Sequence, residues 1–266
     1  MSPDFLNVYD DRARAKAYAA LDFPGTYYLA FRDLPAAIRE HVRGNQALDF
    51  GCGAGRSTRF LRDLGFRVLG IDISEPMLQE ARLRDPRGDY RLVPDGDLPD
   101  LVEQAYDLVL AAFTFDNIPT MDKKVILFRA LRRSLRPSGR LITIVSAPEI
   151  YVHEWASFST RGFPENRFAR TGDRVRIVML DVEDRRPVED ILWTSEDYEE
   201  VHQRVGLVCV QAIRPLGHVT EPYEWVSETH TSPWTIRVLR GAMDDGGLAA
   251  GRSGRSAARH AAEPQR

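Results

Sequence analysis

The chain has 266 residues, 43% of them apolar, and 36 Lys and Arg against 39 Asp and Glu give a formal net charge of −3. That is material for one α/β domain with an insertion, or for one domain plus a small lid, and the near-neutral balance supplies no electrostatic case for nucleic acid, whose binding is driven by Lys and Arg. Cys52 and Cys209 lie far apart without metal-ligand spacing, so they read as reduced thiols and no metal is expected. The acidic N-terminal stretch does not read as a signal peptide, and the longest apolar run, residues 141–147, is too short to cross a bilayer. The expectation is a cytoplasmic protein that does not engage membranes.

In chain order, residues 10–20 are rich in Ala, Arg and Lys and predict a helix ended by Pro24-Gly25, and 31–41 predict a second. Strands and helices then alternate. The pattern predicts a strand at 47–50, a helix at 56–64 stopped by Gly65, and a strand at 67–71. Ser74 caps a helix over 75–84, with Pro76 in its first turn. Strands follow at 89–93 and 106–113, then a helix over 123–135 capped by Asp122, a turn at Pro137-Ser138-Gly139 and a strand at 140–146. Short buried strands alternating with helices predict an α/β fold, a mostly parallel sheet covered on both faces. Over 174–181 Val175, Ile177 and Met179 alternate with charged neighbours, and 188–193 can pair with them as an inserted antiparallel hairpin. Ser195 caps a helix to about residue 205, closed by Gly206, before strands at 207–213 and 234–239. From Gly241 the composition predicts a disordered tail. The expected organisation is a helical cap (1–45), a ligand-binding core (46–147), an inserted lid (148–194), the rest of the core sheet (195–240) and the tail (241–266).

The informative segment is Ala47-Leu48-Asp49-Phe50-Gly51-Cys52-Gly53-Ala54-Gly55-Arg56, where a strand feeds a glycine-rich turn that opens a helix. Glycines let the backbone turn tightly and approach a ligand, and the helix N-terminus offers free N–H groups. A dinucleotide loop would carry glycine where Arg56 stands. The acid Asp49 adds like charge to a pyrophosphate but suits an ammonium or sulfonium group.

This segment resembles the first motif of the class I S-adenosylmethionine-dependent methyltransferases. The segment ending in Asp72-Ile73-Ser74, the turn Asp95-Gly96-Asp97-Leu98, the strand ending at Phe113, and Leu131 to Ile144 resemble later motifs of that family in order, over roughly residues 40–147. The resemblance implies a doubly wound sheet of seven strands with the last antiparallel, and S-adenosylmethionine as cofactor. It also implies that Asp49, Gly51, Gly53 and Gly55 hold the methionine part, Asp72 binds ribose, Ile73 and Met77 flank the adenine, and Asp97 takes its amino group. Leu98 and Phe113 complete the expected cofactor-binding set. Many small-molecule members carry a His pair after strand four, where this chain has Asp116-Asn117.

If the acceptor must lose a proton, the candidate bases are the tyrosines Tyr9, Tyr18, Tyr27 and Tyr28, then Asp116, then His153 with Glu154. His153 is preferred because a neutral imidazole suits proton removal near pH 7. The aromatic insertion, with Tyr151, Trp155, Phe158, Phe163 and Phe168, is expected to lie over the strand ends as a substrate lid. The chain lacks the [DNS]PPY segment of adenine-modifying members, the Pro-Cys nucleophile of cytosine enzymes and the acidic ligands of catechol enzymes. The expectation is O- or N-methylation of a small molecule. The alternatives are a methyltransferase-fold protein that binds the cofactor without transfer, and a nicotinamide-dependent oxidoreductase.

Overall fold

A computed structural model describes residues 10–21, 24–96, 98 and 100–242. Seven strands form the main sheet: β1 (Gln46–Phe50), β2 (Arg67–Asp72), β3 (Asp89–Leu92), β4 (Tyr106–Ala112), β5 (Leu135–Ser146), β9 (Leu207–Ile213) and β10 (Trp234–Gly241). Their order is β3-β2-β1-β4-β5-β10-β9. β3, β2, β1, β4 and β5 pair in parallel, while β10 runs antiparallel to both β5 and β9. This is the doubly wound α/β sheet expected from the sequence. Its strand order reverses between β1 and β4, and in such sheets ligands bind beyond the carboxyl ends of the strands at that switch point.

The strand period of two divides the core between the faces. Leu108 and Leu110 of β4 pack on one side with Ile142, Ile144 and Val238, while Val109 and Ala111 pack on the other with Leu141, Val145 and Leu239. Helices α2 (Thr26–Arg32), α3 (Leu34–His41) and α4 (Arg56–Asp63) contribute to the first side, and α6 (Met121–Ser134) and α7 (Ser195–Val205) to the second.

Between β5 and α7 the chain builds a separate antiparallel sheet, β6 (Phe158–Ser159), β7 (Arg174–Met179) and β8 (Val188–Ile191). Val175, Ile177 and Met179 are buried beneath it, as their alternation predicts. Helix α1 (Arg12–Ala19) packs Ala15 and Ala19 against Ala54 and against Met77 of α5 (Glu75–Arg84). Its buried Arg14 donates to the carbonyls of Arg186 (2.9 Å) and Pro187 (2.8 Å), fastening the N-terminal helix to the β7–β8 turn.

Several local expectations are corrected. The helix predicted at 31–41 is two helices, because Pro35 has no N–H to continue the ladder to Phe31. α6 is capped by Thr120, whose side chain accepts from Lys123 N, and Asp122 sits inside its first turn. α7 is capped by Thr194 in a reciprocal capping box with Asp197, with Ser195 already helical. The predicted turn at 137–139 lies within β5, where a register shift opposite Tyr106 and Leu108 accommodates Pro137. β6 is a third strand that the hairpin reading lacked. Gly241 ends β10, and the tail expected beyond it lies, from residue 243, outside the described residues. No helix among the described residues is long and apolar enough to cross a membrane.

Candidate active site

Two adjoining cavities open at the carboxyl ends of β1, β2 and β4. The first, about 160 Å³, is lined by Gly51, Gly53, Asp72, Ile73, Met77, Leu98 and Phe113 among others. Its floor is the loop after β1. The amides of Gly51 and Cys52 donate to the Ile71 carbonyl at 2.8 and 3.0 Å, folding the loop back onto β2. Gly51 sits at φ 70°, and a Cβ there would collide with the side chain of Thr114.

Two expected cofactor residues do not reach the cavity. Gly55, at φ 77°, serves packing: a Cβ would strike the Tyr90 ring. Asp49 is fully buried below the loop, where its Oδ2 accepts from Ser57 Oγ (2.7 Å) and Thr58 Oγ1 (2.6 Å). It ties the first turn of α4 to β1, and burial pushes its carboxyl up to about 6 despite both hydroxyls.

Asp72, at the end of β2, does line the cavity. Its Oδ2 accepts from Gly53 N (2.7 Å) and its Oδ1 from Ser74 N (2.8 Å), so it braces the loop while facing the space the loop encloses. Burial raises its carboxyl above the usual range, against the hydrogen bonds that favour the charged form. Asp97 lies outside the described residues. Asp95 in the same turn lines the cavity and accepts from Lys123 Nζ at 2.6 Å.

The second cavity, about 50 Å³, shares Tyr18, Phe113 and Asn117 with the first. Phe113 stands at φ 64°, an unusual conformation for a bulky side chain and the kind of strain that clusters at functional sites. Tyr27, Phe158 and Trp234 supply aromatic wall, and Ile177, Met179, Val188 and Asp190 come from the small sheet. Asp116 lies on the short turn after β4 and accepts from Ser146 N at 3.1 Å and Ser146 Oγ at 2.9 Å. Tyr151 Oη donates to Asp190 Oδ2 at 3.1 Å. Burial raises both carboxyls, and the charge of Asp190 adds to the rise at Asp116, while Lys124 opposes it.

His153 and Tyr28, two further candidate bases, line neither cavity. His153 is exposed, its ring edge-on to Trp155 at 6.0 Å, and it lines neither cavity. The reason is that the turn after β5 directs Ile150, Tyr151 and Trp155 inward and leaves His153 outside. Tyr28 packs against Tyr223 (5.1 Å between centroids) on the far side of α2, while its neighbour Tyr27 faces the cavity. Tyr9 lies outside the described residues. Sequence reasoning missed Asp190, which the small sheet brings to the same cavity wall as Asp116, and Arg56, whose guanidinium lies over the rings of Tyr18 (5.3 Å) and Tyr27 (5.1 Å). Alternation along 188–193 was the available signal for Asp190.

Residues 48–143 match the methyltransferase-domain family. Over that stretch the chain is a methyltransferase domain of the S-adenosylmethionine-dependent kind. Its cofactor is S-adenosylmethionine, and the glycine loop, the acid ending β2 and the apolar wall of Ile73, Met77 and Leu98 are a donor set that fits it. The N-demethylindolmycin N-methyltransferase of Streptomyces griseus is 28% identical over 211 residues, covering 77% of this methyltransferase and 88% of that one. A ubiquinone biosynthesis O-methyltransferase of Pseudomonas aeruginosa is 28% identical over 177 residues, covering 64% and 70%. In fold, the methyltransferase resembles the solved CcbJ methyltransferase of Streptomyces caelestis with a TM-score of 0.58 at 20% identity, covering 84% of this chain and all (100%) of the other.

Proposed function

We propose that the protein transfers the methyl group of S-adenosylmethionine to an oxygen or nitrogen of a small molecule seated in the second cavity. The observation that carries this reading is the junction of the two cavities at Tyr18, Phe113 and Asn117. A cofactor filling the first presents one end to whatever fills the second.

In this reading Asp72 accepts the ribose hydroxyls, a role that a carboxylate at the end of the second strand plays well. Gly51 and Gly53 leave room for the methionine part, and Ile73, Met77 and Leu98 flank the adenine. When bound, the cofactor supplies a methyl group already activated by the positive sulfur. The chain's own task is to hold the acceptor in line and keep water out, which alone can supply roughly 7–11 kcal/mol of the barrier. The aromatic wall of the second cavity and the small sheet over it do both. The relatives' names divide between N- and O-methylation and leave the acceptor atom to the cavity's chemistry. The two free cysteines, one buried and one exposed, fit a reducing cytoplasm.

Calorimetric titration with S-adenosylhomocysteine, with NADH as control, tests the cofactor half. Mass spectrometry of a panel of amines, phenols and alcohols incubated with S-adenosylmethionine tests the transfer half. Micromolar binding of the sulfur ligand and a mass gain of one methylene on a panel member are expected. Binding of NADH instead would overturn the reading.

A further inference from the structure

We propose that the acceptor atom is the nitrogen of an amine that enters the second cavity as its ammonium ion, and that Asp116 and Asp190 together receive its proton. This rests on the function proposed above and narrows it to a substrate class.

The argument starts from the cavity, which adjoins the cofactor's. The charged side chains on its wall, among the described residues, are two carboxylates, Asp116 and Asp190, both from distant parts of the chain. The cations nearby do not line it, although the charge of Lys124 acts on Asp116 from off the wall. Arg56 lies on the first cavity, against the faces of Tyr18 and Tyr27. Lys124, fully buried on α6, donates to the Phe115 carbonyl and lies over the rings of Trp193 (4.6 Å) and Tyr198 (5.2 Å), off the cavity wall. The groups that bear on Asp116 are Ser146 from β5, Lys124 from α6, Asp190 from β8, Tyr151 and Tyr198 of α7; those that bear on Asp190 are Tyr151, Glu189 and Tyr198.

Two carboxylates on one small cavity, Asp116 buried and Asp190 half-buried, resist being ionised together, and a cation between them removes that conflict. A phenol or alcohol brings no such charge, and a carboxylate ligand adds a third like charge. The rest of the wall suits the same guest. Tyr27 lies 5.7 Å from Phe113 and 5.0 Å from Phe158, and Phe113 lies 4.8 Å from Trp234. Such a ring cluster favours a cation and the apolar body that carries it.

The step balances. The ammonium ion first gives one proton to the carboxylate pair. The freed nitrogen lone pair then forms a bond to the methyl carbon as the carbon–sulfur bond breaks, and its electrons return to sulfur, which leaves as a neutral thioether. The product is an N-methylammonium ion, whose positive charge the remaining carboxylate faces.

The test uses three matched probes, phenethylamine, 2-phenylethanol and 3-phenylpropionate, titrated into the full-length protein saturated with S-adenosylhomocysteine. Phenethylamine is expected to bind about tenfold or more tightly than the alcohol, with the carboxylate weakest. In Asp190→Asn, which keeps an oxygen for the Tyr151 hydroxyl, that preference is lost while affinity for S-adenosylhomocysteine and thermal stability stay near wild type. The acid limb of phenethylamine binding also moves to lower pH in this variant, because Asp116 no longer faces a second negative charge. A purely structural role for Asp190 would not move that limb. Equal or tighter binding of the alcohol, or no binding of phenethylamine, overturns the amine assignment. Failure to bind S-adenosylhomocysteine would instead overturn the reading on which it rests.

Discussion

The first cavity takes much of its wall from two short stretches of chain, residues 50–57 and 72–77, held together by backbone bonds from Gly51 and Cys52 to Ile71. The second gathers Tyr18, Phe113, Asp116, Tyr151, Asp190 and Trp234 from five separate parts of the fold. One cavity is thus a property of a loop, the other of the tertiary arrangement. On the function proposed above, the difference teaches that cofactor recognition resists change at a few adjacent positions, while acceptor recognition depends on how α1 and the small sheet sit on the core.

Asp72→Ala should have the largest effect on this contrast. Losing about two hydrogen bonds to a charged acceptor predicts roughly a 100-fold loss of S-adenosylhomocysteine affinity by calorimetry. A loss comparable to that of Asp49→Asn would show that the cavity wall and its underpinning are not distinct. Gly51→Ala should follow, lowering stability by about 1–3 kcal/mol in denaturant unfolding, since it combines a positive φ with a clash at Thr114. Arg14→Ala tests the other side. It leaves the carbonyls of Arg186 and Pro187 without their donor, about 1–3 kcal/mol, and should raise acceptor KM more than it weakens cofactor binding. Equal damage to both would mean that α1 serves the two cavities alike.

Smaller effects lie outside the comparison and serve as controls. His202 is buried against Phe128, and burial lowers its pKa to about 4. The unfolded chain therefore binds the extra proton first. Stability is undiminished above about pH 6.5 and is lost as pH falls from there towards 4. In His202→Leu, melting measured across that window should depend less steeply on pH. Thr194→Ala removes the α7 cap and should cost about 1 kcal/mol with no change in cofactor affinity.

The same contrast governs what the sequence made legible. The α/β order, the loop at Gly51 and Gly53 and the acid Asp72 could be read because their geometry is local: a strand, a turn and a helix written consecutively. The helix caps slipped by one or two residues because Thr120 and Thr194 compete with equally good neighbours, Asp122 and Ser195, and backbone conformation decides between them. Asp49 misled because an acid before a glycine turn can serve the ligand or the loop, and hydroxyls one and two positions into α4 claimed it here. His153 misled because proximity to strand five says nothing about which way a turn faces. Alternation along β8 could place Asp190 on the face of Val188 but not beside Asp116, since that meeting depends on how a separate sheet docks.

Among the described residues that separate sheet shares no ladder with the main one: β6, β7 and β8 pair as strands only with one another. An evolving lineage could therefore lengthen, shorten or exchange this segment without disturbing the hydrogen bonds of the seven-stranded scaffold. If the second cavity seats the acceptor as proposed, substrate range can drift by trading one cassette while the reaction itself is inherited unchanged.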